Sequence, residues 1–187
     1  MFALRTPIDG LTRLLRPVAA ELDRCWWYFG GCGCGFPAHR MPEFKRNPER
    51  LPPAEREAYY REYLERSAQW SRDIEAYCDG SHGYSVGKPG FFSRFADGFS
   101  GDWTAYCAVD SQEAPWDLFD VIDQSLPRLF NEPETLSTEI LLSVRGIDNG
   151  YWDFFFREQE MGERALKFLR TGRVKGVEEL KLPLERD

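Results

Sequence analysis

Apolar residues first recur at helical spacing over Leu11, Leu14, Leu15, Val18 and Leu22, with Asp9 placed to cap the helix. Pro17 inside that stretch predicts a kink or two short pieces. The next run, Cys25-Trp26-Trp27-Tyr28-Phe29, has no clean period. It ends in Gly30-Gly31-Cys32-Gly33-Cys34-Gly35, where glycine density breaks regular structure. Prolines at 42, 48, 52 and 53 make His39 to Pro53 an extended loop. Pro52-Pro53 then open the clearest element, a helix from Pro53 to Cys78 that stops at Gly80. Its stripe of Tyr60, Tyr63, Leu64, Ser67, Trp70, Ile74, Tyr77 and Cys78 is predicted to face the core. Glu57 with Arg61 and Glu62 with Arg66 form i,i+4 pairs on the polar face.

Gly80 to Asp102 lacks a period and reads as a loop anchored by Phe91, Phe92, Phe95 and Phe99, while Trp103 to Val109 alternates as a strand does. Pro115 opens a second helix with Phe119, Ile122, Leu126, Leu129 and Phe130 on one face. Asp117, Asp120 and Asp123 stand in its first turns and Arg128 near its end, as the helix dipole favours. Thr138 to Ile147 and Tyr151 to Arg157 flank Asp148-Asn149-Gly150, a strong hairpin signal. A last helix runs from Gln159 to Arg170 and stops at Gly172, leaving a loose tail from about residue 173. The expected fold is α+β in one domain, 1–187, with helices mainly in the first half. A small antiparallel sheet with an Asn-Gly hairpin is expected in the second.

Composition narrows the partners. The chain has 187 residues, 42% hydrophobic and 15% aromatic, enough for one domain with a real core. Net charge is −7 with no basic block, which disfavours nucleic acid and anionic membrane surfaces and suits a basic protein partner. No apolar run approaches a membrane span, and the N-terminus lacks a signal-peptide pattern. Five scattered cysteines point to reduced thiols and a cytoplasmic location.

Candidate chemistry centres on Cys32-Gly33-Cys34 and on Cys78-Asp79-Gly80-Ser81-His82. Thiolate and imidazole are the usual ligands of zinc and iron–sulfur clusters, and C-x-C plus C-x3-H supplies four. The second string resembles the core of the CDGSH iron–sulfur family, which also places a C-x-C pair before that core. The resemblance implies a cluster held by three Cys and one His, here Cys32, Cys34, Cys78 and His82. In that family the pair stands a short loop away, whereas here a long charged helix intervenes. The plainer account takes Cys78 as a core-facing helix end, Asp79-Gly80 as its turn and His82 as a loop residue, with no cofactor.

Gly30 to Gly35 lacks the Lys and following helix of a phosphate loop. Only His39 and His82 can act as a neutral-pH imidazole base, and no nucleophile signature accompanies a cysteine. Carboxylates Asp148, Asp153 and Glu158 near the hairpin, with Arg145 as an anion clamp, form a further catalytic alternative.

The runs Trp26 to Phe29 and Tyr151 to Arg157 are apolar on both faces, as in strands buried on both sides. Two such runs also fit a recognition surface, with Trp26, Trp27 and Trp152 as anchors beside Asp117, Asp120 and Asp123. The expected function is a non-catalytic, intracellular protein-binding domain, immunity- or antitoxin-like, blocking a basic partner. The alternative is a metal- or thiol-dependent protein, an enzyme among its forms.

Overall fold

Phe2–Pro7 forms the first strand, β1, and Leu11–Leu14 and Ala19–Leu22 form α1 and α2 around a 3-10 turn at Arg16–Val18. The structure is a computed structural model that describes residues 1–30, 34–37, 40–41, 48–81, 84–99, 101, 104–110, 122, 128, 131–132, 138–148 and 150–184. Pro17 divides the first helical stretch as its fixed φ requires, and the five apolar residues of the Leu ladder are all buried. The elements that follow are β2 (Trp26–Gly30), α3 (Pro53–Tyr77), β3 (Cys78–Ser81), β4 (Tyr84–Gly87) and α4 (Phe91–Phe95). Then come a 3-10 turn (Ala96–Gly98), β5 (Ala105–Val109), β6 (Ile140–Ile147), β7 (Tyr151–Phe156), α5 (Gln159–Thr171) and β8 (Glu178–Glu179).

The eight strands of the described residues join one antiparallel sheet in the order β3-β4-β2-β5-β6-β7-β1-β8. This overturns the expectation of a small sheet confined to the second half, since four of its strands precede residue 88. The physical reason lies in the burial of both faces. Trp27, Phe29, Tyr106, Leu142, Val144, Trp152 and Phe154 point to one side, where α1, α2, α4 and α5 supply the opposing apolar surface. Tyr28, Val86, Ala105, Cys107, Val109 and Ile140 point to the other side, where Ile122 packs against them. A strand apolar on both sides loses the alternation by which a half-buried strand is recognised. The helix predicted from Pro115 falls largely outside the described residues, though Ile122, Arg128 and Asn131 are helical.

β6 and β7 form the expected hairpin, with Asp148 at φ 46° in its turn; Asn149 lies outside the described residues. The tail is not wholly loose, because Glu178–Glu179 pairs with Leu4 and Arg5 of β1. α5 lays Met161, Ala165, Leu166 and Leu169 on the sheet, a spacing that keeps one helical face apolar.

α3 departs from its predicted packing. Arg61–Glu57 (3.2 Å) and Arg66–Glu62 (2.8 Å) form as expected. Of the apolar stripe, however, only Trp70 is buried, while Tyr60 and Leu64 are 40% and 65% exposed. α3 meets the core through Trp70, Ile74 and Tyr77 in its second half, and its first turns lie on the surface. No helix among the described residues is long and apolar enough to cross a membrane.

Candidate functional site

A cleft of about 620 Å³ opens where β1 turns into α1 and where the Ala96–Gly98 turn leads toward β5. Its walls are built from local constraints. Trp152 stands opposite Thr6 in the β1–β7 ladder and donates its indole N–H to the Asp9 carbonyl at 3.0 Å, which fixes the turn. Gly10 N–H donates to Asp9 Oδ1 at 2.8 Å, and Arg13 Nη1 meets Asp9 Oδ2 at 2.8 Å. The sequence puts Asp9 where a helix cap belongs, yet the group that caps α1 is Asp97, from 85 residues away. Its Oδ1 accepts from Thr12 N–H (2.9 Å), and its two oxygens accept from Thr12 Oγ1 (2.7 and 2.8 Å). Arg40 Nη2 adds a longer bond to Oδ2 at 3.2 Å. A Cβ on Gly10 would lie 3.0 Å from Asp97 Oδ1, so glycine lets the carboxylate reach the helix start.

Burial alone would raise the Asp97 carboxyl, but the Thr12 and Arg40 hydrogen bonds outweigh it and hold the group below its ordinary value. Asp97 is therefore ionised at neutral pH. The floor is apolar, from Leu11, Ala96, Phe99 and Trp152. A carboxyl acting as general acid or base needs a pKa poised near the working pH, which Asp97 lacks, and Asp9 already bonds a guanidinium. Among the described residues no thiol or imidazole lines the cleft. Arg13 lines the same cleft, and both of the cleft's carboxylates are met by guanidinium groups of this chain.

A second constellation crosses the sheet on the face opposite the helices α1, α2, α4 and α5. Arg145, Asp153, Arg5 and Glu178 are directly paired in register on β6, β7, β1 and β8, giving charges that alternate + − + −. Asp153 is fully buried and receives Arg5 Nε (2.6 Å), Arg5 Nη2 (2.9 Å) and Arg145 Nη2 (2.8 Å). Arg145 also lies over Phe155 at 5.5 Å. The expected anion clamp is thus committed to Asp153, and the ladder is a structural network, buried at Asp153 and Arg145 and open to solvent at Glu178. Asp148 is exposed in the hairpin turn and Glu158 precedes α5, so the three carboxylates do not converge on one point.

The other sequence-derived sites scatter. Of the three tryptophans expected as anchors, Trp27 and Trp152 are 0% and 2% exposed, and Trp26 is half-buried on the opposite face. Asp117, Asp120 and Asp123 lie outside the described residues, as do Cys32, His39 and His82. Cys34 and Cys78, despite the helix between them, reach the same wall of the core. Cys34 donates to the Phe95 carbonyl at 3.4 Å, and Cys78 pairs with Gly87, against which Phe91 is packed. Burial pushes both thiols up to about 12, and the neighbouring Cys78 adds to the rise at Cys34. A second cleft, about 500 Å³, has Cys25 at its base beneath Glu21, Asp110 and Arg164. Burial pushes that thiol to about 12 as well, so it is no nucleophile at neutral pH. Among the described residues no group of three His, Cys, Asp or Glu is placed to hold a metal.

Neither the family models, the curated proteins nor the solved structures compared with this chain match it. The likeness at Cys78 to His82 therefore rests on those residues and the C-x-C pair alone.

Proposed function

We propose that this chain is a non-catalytic protein-binding domain that engages a basic protein partner through the cleft at the β1–α1 corner. An immunity- or antitoxin-like role in a reducing cytoplasm fits that reading. The observation that carries it is the make-up of the cleft: the Asp9 and Asp97 carboxylates, each bonded to an arginine of this chain, above apolar side chains, with no thiol or imidazole among its described lining. The net charge of −7 adds long-range attraction toward a positive surface. Cys25, Cys34, Cys78 and Cys107 are free thiols, as a reducing compartment would keep them. Asp117, Asp120 and Asp123 are read from the sequence as a second acidic patch for the same partner.

The test is quantitative capture from the native cell at low and high salt, comparing the natural chain with Asp9→Arg. A specific partner is a basic protein lost both in the variant and at high salt. Capture that ignores Asp9, together with turnover in a broad substrate screen, overturns the proposal.

The meeting of Cys34 and Cys78 supports a second reading, a zinc or iron–sulfur protein completed by Cys32 and His82. Protein made with both metals supplied is expected to be metal-free on elemental analysis. One bound equivalent that disappears in Cys34→Ser would reverse the order of the two readings.

A further inference from the structure

We draw no further inference here: the strongest candidate, the solvent-facing first half of α3 around Tyr60 and Leu64, is an exposed helix face, and nothing in the structure shows what covers it.

Discussion

Asp153→Ala is expected to lower the unfolding free energy by about 3–5 kcal/mol, the range for breaking a buried ion pair by removing one partner. The carboxylate is fully buried and receives three charge-assisted hydrogen bonds from two guanidinium groups. Its removal leaves Arg145, 11% exposed at its side chain, beside the one-third-exposed Arg5 with no charge between them. Like charges would then face each other across β1, β7 and β6 in a region of low effective dielectric. Position in the ladder sets the magnitude. Glu178→Ala removes an exposed charge at the β8 end of the same row and should cost less than about 1 kcal/mol. Replacing the triad together, as Arg5→Met, Asp153→Leu and Arg145→Met, should recover much of the loss, because no charge then remains buried. Urea unfolding followed by fluorescence and circular dichroism measures all three. A loss below about 1 kcal/mol in Asp153→Ala, the worth of an exposed pair, would show that the network is not the electrostatic centre of the sheet.

How far the fold could be read depended on where each element's partner sits. α1 with α2, α3, α5 and the β6–β7 hairpin carry local signals: a Leu ladder, paired prolines, i,i+4 ion pairs and a turn tripeptide. Those signals need no knowledge of the rest of the chain. β1 is a six-residue strand whose partner β7 is nearly the whole chain away, so nothing near Phe2–Pro7 announces it. β2 is hidden by its own richness, with Trp27 and Phe29 buried on one face and Tyr28 on the other. Cys78 to Ser81 looks like a helix stop because Asp79-Gly80 is turn chemistry, yet the four residues pair with β4 at the sheet edge.

The candidate site is hidden for the same reason. Asp97 is an unremarkable Asp-Gly residue until the fold brings Thr12 to it, and Asp9 resembles a helix cap because its place before α1 is where caps stand. The i,i+4 spacing of Asp9 and Arg13 is the local trace that the cleft leaves in the sequence. By contrast Trp27 and Trp152, the loudest candidates in the sequence, are loud because cores and interfaces favour the same side chains.

Gly146→Ala is expected to cost about 3 kcal/mol, at the upper end for overpacking, because what it strikes is backbone. A Cβ at Gly146 would lie 2.5 Å from the carbonyl carbon of Gly101, with Gly101 Cα and O both at 2.7 Å. A side chain in the way can turn aside, but here a segment of main chain must lift off the sheet. That segment follows Phe99, whose ring stacks on Tyr106 at 3.7 Å between centroids, and Gly101 itself lines the cleft. The substitution should therefore weaken the core and deform the cleft together. The Trp152 indole bond to the Asp9 carbonyl should be perturbed in Gly146→Ala even under conditions where the protein remains folded. Gly30→Ala provides the contrast, since nothing lies within 4 Å of where its methyl group would stand. Alanine also favours a strand over glycine by about 0.5–1 kcal/mol. Chemical unfolding of the two variants, with the NMR shift of the Trp152 indole N–H in each, reads both consequences. If Gly146→Ala unfolds like the natural chain, the two backbones are not in the contact that shapes this corner of the fold.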